Sequence, residues 1–217
     1  SPDQVENTKT GKKSRIDGSK VKVGASEAMS KSKKNIVDPE SMIKIFGADA
    51  VRWFILSDSP PERDVQWSTA GVSAAHKFIQ RIWSLNQKIL NRKKSQINSE
   101  EEKKFASKFN EYIFKVTDLI ENFQLNVAVA KIYEITSLME NNIAKEISNQ
   151  NLIISQTKFM KMLLPFAPHL SCECLSKIEG KNFYEEIRWP QTDKSLLEKQ
   201  EVTLVVQING KKRGLII

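Results

Sequence analysis

SEEEKKFASKFNEYIFKVTDLIENF, residues 99–123, decides the fold of this 217-residue chain. Phe105, Phe109, Tyr112, Ile113, Val116, Leu119, Ile120 and Phe123 recur at three- and four-residue spacing. That spacing lines one face of an α-helix. Glu100, Glu101 and Glu102 fill the first turn, where carboxylates suit the positive end of a helix. Ser99 and Glu102 have capping-box spacing, so Ser99 is expected to cap. One such helix cannot bury its stripe alone.

Its neighbours in sequence supply the partners. Ser68 or Thr69 opens a helix to about Leu90 with Val72, Ala75, Ile79, Ile82, Trp83, Ile89 and Leu90 on one face. Lys77, Gln80, Arg81, Gln87 and Lys88 take the opposite face, and Asn91-Arg92-Lys93-Lys94 closes it with positive charge. Downstream, 126–145 carries Val129, Ile132, Tyr133, Ile135, Met139 and Ile143. Residues 151–164 carry Ile154, Phe159, Met160, Leu163 and Leu164, until Pro165-Phe166-Ala167-Pro168 breaks the pattern. A further helix from His169 ends at Gly180, a residue suited to helix termination. These aromatic and Met stripes read as core, not as a cofactor box. The fold class is mainly α, an antiparallel helix bundle.

Two shorter helices precede the bundle. Asp38 caps and Pro39 starts a helix with Met42, Ile43, Ile45 and Phe46 that stops at Gly47. The next, Ala48 to about Leu56, is apolar nearly all round, with Arg52 expected either to snorkel or to pair with a local acid such as Asp49. Asp58-Ser59-Pro60-Pro61 ends it. The leader up to about residue 26 is polar and Gly-punctuated, with weak strand pieces such as Lys20-Val21-Lys22-Val23. At the other end Trp189-Pro190 opens an extended linker. The strand Thr203–Ile208 and the turn Asn209-Gly210 then begin a hairpin whose small α/β unit is expected to be incomplete.

The net charge of +8 favours a polyanionic partner, most plausibly nucleic acid. Charged residues make up 28% of the chain, and no run approaches the ~18 apolar residues of a spanning helix, which excludes a membrane protein. No secretory signal is read, and the chain is expected to be a segment of something longer. Cys172 and Cys174 lie two apart in one helix and point in different directions, so they read as small buried hydrophobes in a reducing compartment. His76 and His169 offer too few ligands for a metal site, and none is expected.

Ala28-Met29-Ser30-Lys31-Ser32-Lys33-Lys34 carries the best candidate chemistry. The serines suit a loop, and a lysine is a compact charge suited to triphosphate oxygens. From composition alone it reads either as an anion-binding loop or as a solvated one. Its order along the chain narrows this. It precedes Asp38-Pro39, then Phe46-Gly47-Ala48-Asp49-Ala50-Val51-Arg52, then a bundle containing Pro165-Phe166-Ala167-Pro168-His169. With these pieces the chain resembles the C-terminal part of a class I aminoacyl-tRNA synthetase of the kind that charges large aliphatic amino acids and methionine. Ser57-Asp58-Ser59-Pro60-Pro61-Glu62-Arg63-Asp64 with Trp67, and Val205 through Arg213, resemble the leucyl-tRNA synthetases in particular.

The resemblance implies three parts. Residues 1–61 would end a nucleotide-binding α/β catalytic domain, 62–190 would form an anticodon-binding-type bundle, and 191–217 would open a C-terminal α/β domain. It implies activation of leucine with ATP and Mg2+, transfer to tRNA(Leu), and a cytoplasmic enzyme. Lys31 matches the lysine that contacts ATP and is the expected catalytic residue, with Met29, Ser30 and Ser32 expected beside it in the ATP-binding loop. Ala28 stands where the family has a lysine, and Lys33 and Lys34 are possible partial substitutes. The family's other signature, of His-x-Gly-His type, is absent, so the segment alone is expected to be inactive. Lys77, Arg81, Lys88, Arg92, Lys93 and Lys94 are the candidate tRNA-phosphate contacts. Isoleucyl, valyl or methionyl enzymes, and a non-catalytic basic RNA-binding module, are the alternatives.

Overall fold

The computed structural model describes residues 5–7, 13–15, 27–33, 35–93, 96–180, 187–197, 204–208 and 211–216. The strand pieces read at 20–23, Lys34, Lys94 and the Asn209-Gly210 turn lie outside the described residues. The described helices are α1 Pro39–Phe46, α2 Ala48–Asp58, α3 Thr69–Leu90, α4 Ser99–Glu121, α5 Leu125–Ile143, α6 Asn149–Leu163 and α7 Pro168–Glu179. Two antiparallel hairpins flank them. β1 Val5–Asn7 pairs with β2 Lys13–Arg15, and β3 Leu204–Ile208 pairs with β4 Lys211–Ile216. In the second hairpin a bulge falls between Val206 and Gln207.

The stripes meet in one core. Val72, Phe78, Ile82 and Ile89 of α3 and Phe105, Phe109, Ile113 and Val116 of α4 are buried in it. So are Ile132, Ile135 and Met139 of α5, and Phe159, Met160 and Leu163 of α6. Trp53 of α2 is fully buried and lies 5.0 Å from the Phe78 ring and 6.2 Å from Phe166. It also donates through Nε1 to the Tyr133 hydroxyl at 3.3 Å. α2 is therefore a bundle member, although Ile55 points outward. α1 differs, since none of its residues is buried and Ile45 is 63% exposed.

Helix ends follow the capping chemistry, with one shift of register. Asp38 accepts from Glu40 N and Ser41 N, and Ser68 accepts from Gly71 N. At α4 the cap is Asn98, which accepts from Glu100 N and Glu101 N, so Ser99 is already helical. Glu102 is released from any capping box and reaches across to Ser148 N at 2.7 Å and Asn151 Nδ2 at 2.9 Å. Those bonds, Ser148's first, hold its carboxyl below the ordinary range. Phe123, expected on the core stripe, instead leaves α4 with φ 57° and is 67% exposed. The amide of Phe123 donates to Ile120 O and that of Gln124 to Leu119 O. This is a Schellman closure with a phenylalanine where glycine is usual.

The segment after α7 is strapped onto α4. Asn110 is buried and pairs with the backbone of Asp193 in both directions, at 2.7 Å and 2.8 Å. Trp189 Nε1 donates to Thr117 Oγ1 at 2.8 Å, and Ser107 Oγ donates to Leu196 O at 3.0 Å.

Candidate functional site

The loop that precedes α1 is short and closed on itself. Asn35 clasps it, accepting from Ser30 N at 2.8 Å and donating through Nδ2 to Ala28 O at 3.3 Å. Ser30 Oγ accepts from Lys33 N at 3.3 Å and lies 3.2 Å from Ser32 Oγ. The two serines thus serve the loop's own turn, as small hydroxyls competing for backbone groups do. Lys33 is tied to Glu27 by an ion pair of 2.7 Å, which lowers the Glu27 carboxyl's pKa. Lys33, expected as a partial substitute for the lysine missing at Ala28, is engaged here in a half-exposed ion pair, which contributes little to stability. Lys31 sits at the turn, exposed, with no hydrogen bond or ion pair among the described residues. Met29 beside it is 46% exposed.

The corner that carries the loop joins α1, α2, α3 and α7. Gly47 separates the two short helices at φ 84°, ψ 153°, a conformation open only to glycine. His76 of α3 reaches the last carbonyl of α1, Phe46 O, at 2.8 Å. A carbonyl can only accept, so Nδ1 carries the proton, and Gln80 Nε2 donates to His76 Nε2 at 2.9 Å. Asp49 is buried and caps α7, accepting from His169 N, Leu170 N and His169 Nδ1 at 3.3, 2.7 and 2.8 Å. Arg52 does not pair with Asp49. It donates through Nε to Pro165 O at 2.8 Å, on the far side of the same corner. Between these bonds lies a cleft of about 880 Å³ lined by Phe46, Asp49, His76, Ile79, His169 and Cys172. Cys172 and Cys174 are unbonded thiols, and burial pushes the Cys174 thiol up to about 12.

Of the bundle cations singled out in the sequence, Lys77, Lys88 and Lys93 are exposed and form no hydrogen bond or ion pair among the described residues. Lys77 and Lys88 share one face of α3, separated by about 16 Å at ~1.5 Å per residue. Arg81 lies between them but is engaged, with Nη2 2.6 Å and Nε 3.0 Å from the Glu140 carboxylate. Arg92 points inward to the α5–α6 connection. It donates to Ile143 O at 2.6 Å, Lys145 O at 2.6 Å, Ile147 O at 2.7 Å and Asn149 Oδ1 at 2.5 Å. Sequence reading missed the roles of Asp49, Arg52, His76, His169 and Arg92. The acid and cation of Asp49-Ala50-Val51-Arg52, one turn apart, were the available signal for the corner.

Among the described residues no group of three or more His, Cys, Asp or Glu converges on a common point. No described helix is long and apolar enough to cross a membrane.

Comparison with known proteins gives the chain its relatives. A family model described as the anticodon-binding domain of tRNA ligase matches residues 102–216, just over half of the chain. A second, described as tRNA synthetases class I (I, L, M and V), matches residues 19–68. A leucine–tRNA ligase of Bartonella bacilliformis is 42% identical over 207 residues, covering 91% of this chain and 24% of that protein. One of Cereibacter sphaeroides is 39% identical over 213 residues, covering 98% of this chain and 24% of that protein. The chain thus spans about a quarter of the length of the curated relatives it matches. It is also similar to a crystal structure described as the ternary complex of Agrobacterium radiobacter K84 agnB2 LeuRS-tRNA-LeuAMS. There the TM-score is 0.72 at 27% identity, over 87% of this chain and 25% of that one.

Proposed function

This chain belongs to the anticodon-binding domain family of tRNA ligases, and from that premise we propose that it is the ATP-side loop and tRNA-binding bundle of a leucine–tRNA ligase. The whole protein would join leucine to ATP, releasing pyrophosphate, and pass the leucyl group to tRNA(Leu) in the cytoplasm. The segment alone would not catalyse. Residues 1–61 would belong to the catalytic domain, 62–190 to the tRNA-binding bundle and 191–217 to a following domain.

One observation carries the loop's role. Among the described residues of the loop, Lys31 is the cation with no hydrogen bond or ion pair, on a turn held by Asn35 and the two serines. Negative charge builds on the pyrophosphate as it leaves. A lysine brought to it in the transition state stabilises that charge more than it stabilises bound ATP, which is what accelerates the step. Ser30 and Ser32 position the turn, and Met29 flanks it. With alanine at position 28, Lys31 carries this role without a second lysine on its N-terminal side. Any Mg2+ accompanying ATP would be held in part by the triphosphate oxygens.

For the bundle, exposed Lys77, Lys88 and Lys93 are the phosphate contacts. Such contacts position an RNA without reading its sequence. Arg81 and Arg92 serve the fold, and Lys94 lies outside the described residues. The test is Lys31→Ala in the full-length protein, assayed by leucine-dependent ATP–pyrophosphate exchange. A fall in kcat of roughly 10²–10³, the usual cost of one such contact, supports the reading, and an unchanged rate defeats it.

A further inference from the structure

α1 presents a mechanical problem. It carries the Lys31 loop at its N-terminal side, yet buries none of its residues. Its link to α2 is a single glycine in a conformation that imposes no side-chain contact, with nothing within 4 Å of the place a Cβ would occupy. Backbone alone would leave the α1–α2 angle loosely set. The angle is set instead at Phe46, which packs partly buried against the core and is bonded from α3. His76 donates to Phe46 O at 2.8 Å, and its ring meets the Phe46 ring edge-on, with centroids 6.1 Å apart and planes at 65°. Gln80, one turn further on, holds the imidazole in the tautomer that this bond needs. α2, by contrast, is fixed independently by Asp49 on α7, Arg52 on Pro165 and the buried Trp53. The hinge therefore lies between a bolted helix and one held to the bundle at its last residue, where Phe46 packs partly buried against the core and His76 bonds its carbonyl.

We infer that His76 is a positioning residue: its bond to the Phe46 carbonyl latches α1 against α3 and so fixes the pose in which the loop offers Lys31 to ATP. The inference rests on the loop's proposed role. It places no group of His76 on substrate. It predicts that loss of the latch spreads α1 over poses of which only a fraction presents Lys31 correctly, which lowers kcat in proportion to that fraction. The bundle's exposed lysines lie on α3 and beyond, on the other side of the hinge, so tRNA affinity stays.

The conservative replacement is asparagine, because its Nδ2 occupies the branch position of the histidine Nδ1 and can donate to the same carbonyl. In the full-length protein, His76→Ala lowers kcat for leucine-dependent ATP–pyrophosphate exchange about tenfold, the scale of one lost hydrogen bond. The tRNA Kd changes less than about twofold, and His76→Asn restores kcat to within about threefold of the parent. A His76→Ala variant with parental kcat overturns the inference. So does a parallel loss of tRNA affinity and of melting temperature that asparagine does not recover, since that is the signature of a merely structural histidine. Lys31→Ala, measured alongside, separates the two claims. If it leaves exchange intact, the loop's proposed role fails and takes the latch with it. If it abolishes exchange while His76→Ala does not, the latch alone is wrong.

Discussion

Arg92→Ala separates structural from RNA-binding cations most sharply. The guanidinium donates to three main-chain carbonyls and one carboxamide of the α5–α6 connection, at 2.5–2.7 Å. Asn149 returns a bond to Arg92 O at 3.1 Å. Hydrogen bonds to a charged group contribute ~1.5–3 kcal/mol each when counted singly. They are not additive here. Lys145 lies on the exposed part of the connection, where water can replace the lost donor, whereas Ile147 is fully buried. A net loss of ~3 kcal/mol follows. For a chain of this size that lowers the melting temperature by about 6–12 °C. Arg92→Lys should recover less than half, because one ammonium cannot span acceptors that a planar fork reaches together. Circular dichroism melting gives the stability, and filter binding of tRNA across a salt series gives the phosphate count. The expected result is a large melting shift with an unchanged slope of log K against log salt. An unchanged melting temperature with a slope shallower by about one would make Arg92 a phosphate contact and refute the assignment.

Three further perturbations probe the fold. Gly71→Ala gains up to ~1 kcal/mol of helix propensity, but its Cβ would meet the buried Phe54 ring at 2.6 Å and 2.9 Å. Overpacking of that kind costs ~1–3 kcal/mol, so the melting temperature should fall by a few degrees; a rise would show that the ring yields freely. Phe123→Gly removes the left-handed strain of an exposed phenylalanine and should raise stability by up to ~1 kcal/mol, read as a higher urea midpoint; a lower midpoint would mean the ring makes contacts that matter. Glu111 accepts from Lys108 at 2.8 Å and Lys115 at 2.5 Å, and those bonds hold its carboxyl at about 2 against an ordinary 4.5. Its contribution is then complete above pH 4.5 and disappears as the pH falls towards 2. The lysines are 47% and 42% exposed, so Glu111→Gln should cost only ~0.5–1 kcal/mol at pH 7. The gap from the parent in urea titrations should close near pH 2, and a gap constant with pH would rule out the ion pairs as its source.

Much of the bundle was legible because its determinants are local and periodic. The stripes of α3 to α6 name most of their own buried residues, although Tyr133 and Ile154, expected on them, are 37% and 44% exposed, and Asp38, Ser68 and Gly180 mark helix ends within a few positions. Errors fell where a local rule had a near competitor. Asn98 outcompeted Ser99 as a cap one residue earlier, and Phe123 occupied a position that glycine usually announces. The roles of the cations were not legible. Arg81 and Lys88 look alike in sequence, and it is Glu140 and Ser137, 59 and 56 residues away, that engage Arg81. Arg92 binds carbonyls 51–55 residues on, which carry no side-chain signature. The corner depends on Asp49 meeting His169 across 120 residues, a contact that no period or spacing encodes. The loop's closure by Asn35 was the opposite case, local but hidden, because a carboxamide bridging two backbone groups leaves no pattern.

The central claim is that this chain is the loop-and-bundle part of an enzyme that activates leucine. It is tested most directly by ATP–pyrophosphate exchange with the full-length protein, offered leucine, isoleucine, valine and methionine in turn. The account predicts exchange with leucine well above the other three, and its loss when Lys31 is replaced by alanine. Exchange driven by another of the four amino acids, or leucine exchange indifferent to Lys31, would contradict it.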